Sequence, residues 1–250
     1  VDQSSPLDET FYEQFDLKIT LIKQKKKALW LARNVAVKTA CGEFIAFSED
    51  DVRINPDWIT QHIRCIDYFD ADISNGPFYP LGLALTKDQA VFKTSVQFAT
   101  GNAVVKKEVF STTGLFDRQF EKQRMGDGEF GLRCFQKGFR AINNPRALCE
   151  DVKASAGGLR QMGSWDAFRP KSLFSPRPVP SVLYFCRRYF GAQAAIFLLL
   201  KSVPPSVVPY RFKRVKYLLS IGYLLAILLS PFIIIQVLRS WIRSTKMLRP

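Results

Sequence analysis

An apolar run, Phe44-Ile45-Ala46-Phe47, passes through Ser48 into three consecutive carboxylates, Glu49, Asp50 and Asp51. The run has the length and the aromatic and β-branched content of a buried strand. A helix opens soon after, at Asn55-Pro56-Asp57. Three like charges at the end of a buried strand repel one another, so something positive has to sit there. Hard oxygen donors at alternate positions suit Mg²⁺ or Mn²⁺ shared with a phosphate-bearing molecule. The plainer alternative is an exposed acidic turn ahead of a helix whose positive end favours Asp57.

Around this stretch the elements alternate. Leu17–Ile22 reads as a strand. Ala28–Ala40 reads as a helix that turns Leu29, Leu31, Ala32, Val35 and Ala36 inward and closes at Gly42. Phe44–Phe47 follows as a strand, Pro56–Tyr68 as an amphipathic helix, Ala71–Gly76 as strand and turn, and Gly126–Gly138 as a further helix. Such alternation implies an α/β sheet with ligands at the carboxyl ends of its strands, and the acidic triplet lies at such an end. His62, in mid-helix after Trp58, reads as structural.

The second feature is the distribution of charge. The chain has 36 Lys and Arg against 22 Asp and Glu, a net charge of +14. All of that excess lies in residues 167–250, which carry 14 basic residues and no acid. The remainder is a balanced globular surface, and the 47% hydrophobic content is enough to bury a full core. Five scattered cysteines without CxxC spacing exclude a disulfide framework and a zinc site and suit a reducing compartment. Val1 looks like the tail of a strand, so the chain reads as a fragment whose beginning is missing.

The basic residues bracket apolar sequence, so anionic membrane lipid is the expected partner rather than nucleic acid. Tyr217–Leu238 holds 22 residues and no charge. As one helix it would reach roughly 33 Å and cross a bilayer core. Pro231 would kink it, and a hairpin that enters and returns is the alternative. Residues 182–200 mix aromatic and aliphatic side chains with Arg187 and Arg188, as an interfacial helix does; a core helix is the rival reading. Three parts follow: 1–166 globular, 167–210 a basic Pro-rich linker with the interfacial helix, and 211–250 a transmembrane or re-entrant segment.

Ala32-Arg33-Asn34, followed by Ala40-Cys41-Gly42-Glu43-Phe44-Ile45-Ala46-Phe47-Ser48-Glu49-Asp50-Asp51, resembles the paired signature of glycosyltransferase family 2. Gly101-Asn102-Ala103, Gly114-Leu115-Phe116-Asp117, Gly126-Asp127-Gly128-Glu129 and Asn144-Pro145 resemble that family's distal block in order and spacing. Val1-Asp2-Gln3-Ser4-Ser5 is similar to its early acidic motif. The resemblance runs from Val1 to about Asp166 and implies a GT-A Rossmann-like mixed sheet with helices on both faces, lacking its first strand-helix unit; the basic and apolar sequence beyond it adds the expected C-terminal membrane-associated helices. It implies an inverting mechanism and a nucleotide-diphosphosugar donor.

By the same resemblance Asp2, Arg33, Asn34 and Asp50 would face the nucleotide, Glu49 and Asp51 would hold Mg²⁺ or Mn²⁺, and Asp127 would be the catalytic base. Gly101, Asn102 and Glu129 would lie toward the donor or acceptor sugar, Glu129 being the nearest rival to Asp127. Arg160 and Trp165 sit in a Gly-rich loop that would close over the donor or stack on a sugar, or simply connect. Three positions depart from the family pattern: Glu49 in place of Asp, Gly126 in place of Glu, and Glu150 or Asp151 where a His ligand often stands. The expected activity is transfer to a saccharide or lipid-linked acceptor at the cytoplasmic face of a bacterial inner membrane. The alternative is a non-catalytic, membrane-tethered scaffold that keeps the sugar-nucleotide fold.

Overall fold

The computed structural model describes residues 1–80, 90–152, 172–208 and 216–249. They fall into two compact units, one from Val1–Glu121 with Gly126–Ser155, the other from Lys122–Met125 with Ala156–Pro250. The predicted linker and the predicted membrane segment thus share one unit.

In the first unit the helices are α1 (Thr10–Glu13), α2 (Leu29–Thr39), α3 (Trp58–Phe69), α4 (Glu108–Thr113) and α5 (Gly126–Gln136). The strands are β1 (Phe44–Ser48), β2 (Val52–Ile54), β3 (Ile73–Asn75), β4 (Phe78–Pro80), β5 (Lys93–Ser95), β6 (Asn102–Lys106), β7 (Ala141–Asn143) and β8 (Cys149–Asp151). Five strands form a mixed sheet in the order β1-β6-β3-β7-β5, and β2-β8-β4 form a second. Both β1 and β3 run antiparallel to β6, with Ser48 opposite Asn102 and Asn75 opposite Ala103, and β3 is parallel to β7. The carboxyl ends of β1, β3 and β7 therefore emerge at one edge. β6 is flanked on both sides, and its Asn102-Ala103-Val104-Val105 run is buried throughout.

Phe47 of β1, Phe98, Phe110 of α4, Phe116 and Phe130 of α5 pack into one aromatic cluster. Ring centroids lie 4.4 Å apart for Phe116–Phe130, 5.0 Å for Phe98–Phe130 and 5.5 Å for Phe47–Phe98. Trp30 of α2 joins through Phe116 at 5.3 Å. Such pairs add about 0.5–1.5 kcal/mol each beyond area burial.

Two expectations are corrected here. Leu17–Ile22 is not a strand: among the described residues it joins no ladder, Leu17 is 72% exposed, and its one pairing is at the end, where the Asp2 N–H donates to the Ile22 carbonyl at 2.9 Å in the Asp2–Lys23 bridge. The helix over 28–40 is present as α2, but Trp30, Ala32, Asn34 and Val37 face inward while Leu29 and Ala36 are exposed. The large indole sets the rotation, and Asn34 follows it one turn on to clamp a backbone.

In the second unit α6 (Pro180–Ser202) is broken at Gly191, whose φ of 87° lies in the left-handed region. The predicted apolar helix over 217–238 is two helices, α7 (Lys216–Leu228) and α8 (Ser230–Leu248), bent by 85° with Pro231 in the first turn of α8. Among the described residues no single helix is long and apolar enough to cross a membrane; the bent pair passes that test together. The predicted interfacial helix lies within α6. Its first half buries Val182, Leu183, Tyr184 and Cys186, while Phe190, Phe197 and Leu200 are exposed.

His62 is structural, as expected. Trp58 Nε1–H donates to Asn102 Oδ1 at 2.8 Å, and His62 Nε2 lies 3.0 Å from the same oxygen. Asn102 Nδ2 donates to the Pro77 and Ala147 carbonyls, so its oxygen is the acceptor and His62 carries its proton on Nε2. His62 Nδ1 then accepts from the Ser74 hydroxyl at 2.8 Å. Burial pushes the imidazole down to about 4 from its ordinary 6.5. The unfolded chain therefore takes up a proton near pH 6.5 that the folded chain refuses until about pH 4. Stability is fully present above 6.5 and falls as the pH drops through that window. Urea unfolding at a series of pH values should show this loss, and His62→Gln should flatten it while lowering stability at pH 7 by about 1–3 kcal/mol. An unchanged slope in the variant would remove His62 as its source.

Candidate functional site

The edge where β1, β3 and β7 end carries the acidic turn. Glu49 follows β1 directly, and Asp50 and Asp51 make the turn into β2. β2 pairs antiparallel with β8, with Val52 opposite Asp151 and Arg53 opposite Glu150. That pairing decides between the two acids at the C-terminal motif. Glu150 forms an ion pair with Arg53 at 3.4 Å, whereas Asp151, on the opposite face of the strand, raises the Glu49 carboxyl electrostatically.

Glu49 stands where burial and charge act together. Desolvation raises its carboxyl above the ordinary range, the Arg33 guanidinium pulls it back, and Asp51, Asp50 and Asp151 push it up again. Arg33 NH2 stands 3.4 Å from Glu49 Oε1, with its guanidinium 5.2 Å from the centre of the Trp30 ring. Burial lowers the Arg33 guanidinium somewhat, against Glu49, Asp127 and Glu121 in that order. One cation from α2 thus faces the acidic turn and the start of α5 together. Among the described residues no group of three or more His, Cys, Asp or Glu converges as a metal cage.

Gly101 is tight against the same carboxylate. A Cβ there would lie 2.7 Å from Glu49 Cδ and 2.6 Å from Phe78 Cζ, so only Gly leaves Glu49 in place. Asp127 stands in the first turn of α5, half-buried, with Oδ1 accepting from the Gly128 N–H at 2.9 Å. Its charge complements the positive end of the helix. Gly126 is required beside it because a Cβ would meet Trp30 Cζ2 at 2.3 Å. Asp2 lies at the Lys23 bridge, where the Tyr12 hydroxyl and then Ser4 hold its carboxyl down at about 2.

Three predicted site residues belong to the framework instead. Asn102 is fully buried, with its amide engaged by Trp58, His62, Pro77 and Ala147, leaving no edge for a sugar. Asn34 is buried and clamps the Phe116 backbone in both directions, its Nδ2 donating to the carbonyl at 2.8 Å and its Oδ1 accepting from the N–H at 2.9 Å. Glu129, 1% exposed, accepts from Arg133 Nε at 2.9 Å and NH2 at 3.0 Å, and Arg133 in turn holds the Thr113 and Leu115 carbonyls. Arg160 and Trp165 lie outside the described residues.

Sequence reasoning missed Trp30 and Glu121. Trp30 precedes Arg33 by three residues, a spacing that puts both on one helix face. Glu121 accepts from the Leu31 N–H at 2.8 Å, capping the start of α2 across 90 residues, and no local signal announces that. A cavity of about 260 Å³ opens along the same edge between Asn75, Gly76, Lys93, Gln97 and Asn143, separate from the acidic turn.

Residues 2–116 match the family model described as Glycosyl transferase family 2, the family the motifs resemble. No curated protein matches the chain. The crystal structure of GalNAc-T7 with UDP, GalNAc and Mn²⁺ is 14% identical over 61% of this chain and 36% of its own, with a TM-score of 0.52. The crystal structure of S. aureus TarS 1–349 in complex with UDP-GlcNAc is 17% identical over 79% of this chain and 54% of its own, also with a TM-score of 0.52. The chain spans about a third to a half of the length of these structures. The likeness shows the fold: a mixed α/β sheet of the GT-A type.

The division between site and framework can be measured. Glu129→Gln removes one partner of a buried ion pair and should destabilise the protein by about 3–5 kcal/mol. Asp127→Asn keeps a good first-turn residue and should change stability by less than about 1 kcal/mol. Urea midpoints in the reverse order would mean that the two carboxylates have been assigned the wrong way round.

Proposed function

We propose that the chain is the donor-binding and catalytic part of a metal-dependent, inverting glycosyltransferase. It would move a sugar from a nucleotide-diphosphosugar to an acceptor hydroxyl in cell-surface polysaccharide or glycolipid synthesis. The observation that carries this reading is the acidic turn at the end of β1, where Arg33 pairs with Glu49 at 3.4 Å, Gly101 packs against the same carboxylate, and Val52 stands opposite Asp151. The family match over residues 2–116 and the fold likeness to glycosyltransferases support it.

The donor set fits a divalent cation. Glu49 and Asp51 offer two hard oxygen ligands; burial raises the Glu49 carboxyl, and Asp51, Asp50 and Asp151 add a smaller repulsion that a cation would relieve. Mg²⁺ or Mn²⁺ held there would offset charge on the departing diphosphate. The residues of the chain supply the rest. Arg33 adds fixed positive charge beside the same turn. Gly101 lets a ligand approach the backbone next to Glu49. Asp2, ionised at every physiological pH, and Asp50 would accept hydrogen bonds from the nucleotide. Asp127 takes the proton of the acceptor hydroxyl as its oxygen bonds to the anomeric carbon and the bond from that carbon to the diphosphate breaks, releasing a nucleoside diphosphate.

The second unit would hold the protein at the cytoplasmic face of a bacterial inner membrane, against anionic lipid, where a saccharide or lipid-linked acceptor is presented. The rival is a non-catalytic scaffold of the same fold, favoured by Glu49 in place of Asp and Gly126 in place of Glu.

Calorimetry with a panel of nucleotide sugars, with and without Mn²⁺, separates the two readings. Metal-dependent binding of one donor should appear, Asp51→Ala should abolish it, and Glu49→Asp should keep it. Gly101→Ala, which displaces Glu49, should weaken it about 10–100-fold. Asp127→Asn should leave binding intact while transfer falls by about 10²–10⁴-fold. Binding without transfer in the unaltered protein would favour the scaffold.

A further inference from the structure

We infer that α7 and α8 form a re-entrant anchor that enters one leaflet of an anionic bilayer and returns to the side it left, without crossing. This deepens the membrane reading above and rests on it. The first observation is that the helices are inside out. On α8 the buried residues are Gln236, Ser240 and Ser244, spaced by four, while Ile234, Leu238 and Ile242 are exposed by 54–56%. A helix that faces water shows the reverse pattern.

The buried polar face is fully engaged. Ser240 Oγ donates to the Pro178 carbonyl at 2.6 Å, Arg177 Nε donates to Gln236 Oε1 at 2.9 Å, and Arg187 donates to Ser244 Oγ at 2.8 Å and Thr245 Oγ1 at 2.7 Å. Small polar residues packed inward with apolar ones outward are the arrangement that lipid selects. α7 is exposed and apolar on almost every side, at Ile221, Tyr223, Leu224, Leu225, Ile227 and Leu228.

The occupant is a phospholipid leaflet rather than a protein because of where the charges fall. At about 100° per residue, Ile234, Ile235, Leu238 and Ile242 fill one sector of α8. Arg239, Arg243 and Lys246 fill the adjoining sector, with no acid anywhere in residues 167–250. Apolar side chains beside a wholly basic stripe match acyl chains beneath anionic headgroups.

The return follows from length, bend and flanks. α7 has 13 residues, about 20 Å, against a hydrocarbon core of about 30 Å. The 85° bend turns α8 away from that direction before the core is crossed. Basic residues stand on both flanks, Arg211 to Lys216 before and Arg239 to Arg249 after, and the positive-inside rule places both on one side.

The test uses the full chain in bacterial inner-membrane vesicles of known orientation. Exposed Cys41 is replaced by Ser, and Lys201→Cys or Arg249→Cys is added as a reporter on either side of the α7–α8 pair. The four buried cysteines should react only after denaturation and so report folding. A membrane-impermeant maleimide should label both reporters from the same face. Labelling from opposite faces overturns the re-entrant inference and leaves the membrane reading standing. A folded chain absent from the membrane pellet overturns the membrane reading itself.

Discussion

Four phenylalanines hold the candidate site residues to one edge of the sheet. Phe47 lies two residues before Glu49, Phe98 three before Gly101, and Phe130 three after Asp127; Phe116 is the residue whose backbone Asn34 grips beside Arg33. The rings of Phe47, Phe98, Phe116 and Phe130 touch, so four chain segments distant in sequence meet at one edge of the sheet. Interiors pack as densely as organic crystals. A change of ring volume in the cluster is therefore felt within two or three residues of each polar group. The glycines obey the same constraint from the other side, since Gly101 and Gly126 leave room for Glu49 and Trp30.

Charge at that edge is held in a deliberate imbalance. Glu49, Asp50, Asp51 and Asp151 act on one another, and Arg33 offsets part of their repulsion through Glu49. The framework carboxylate is treated differently: Glu129 is buried against Arg133, which also anchors two backbone carbonyls. A carboxylate closed within its own network stabilises a fold. One left partly open beside other acids is able to act on something that arrives.

The motifs and the strands that end in them were readable because they are local: a buried apolar run into an acidic turn, a helix opened by Asp, a glycine before a strand. The same locality explains the errors. Leu17–Ile22 has the period of a strand but joins no ladder among the described residues, which no single segment can reveal. Asn34, Asn102 and Glu129 are residue types that serve sites and frameworks equally. Their framework roles depend on Phe116, His62 and Arg133, and for the two asparagines the partner is 40 or more residues distant. The rotation of α2 follows from Trp30, whose pocket is built by Phe116 and Gly126 far along the chain.

Both units answer to one rule, that each side chain goes where its surroundings match it, but the surroundings differ. In the first unit Val104, Val105 and the phenylalanines are buried and the carboxylates gather at an open edge. On α8 of the second, serines and a glutamine are buried while isoleucines and leucines are exposed. Beyond the excess of basic residues in the second, the two differ in which residue types face outward. Hydropathy along the sequence finds the apolar residues of 217–238, and Pro231 marks the bend beside Leu229. The inward Gln236-Ser240-Ser244 face appears only once the helices are placed. An outward apolar surface bordered by basic residues is the feature of the second unit that the proposed lipid anchor would use, more than the length of any helix.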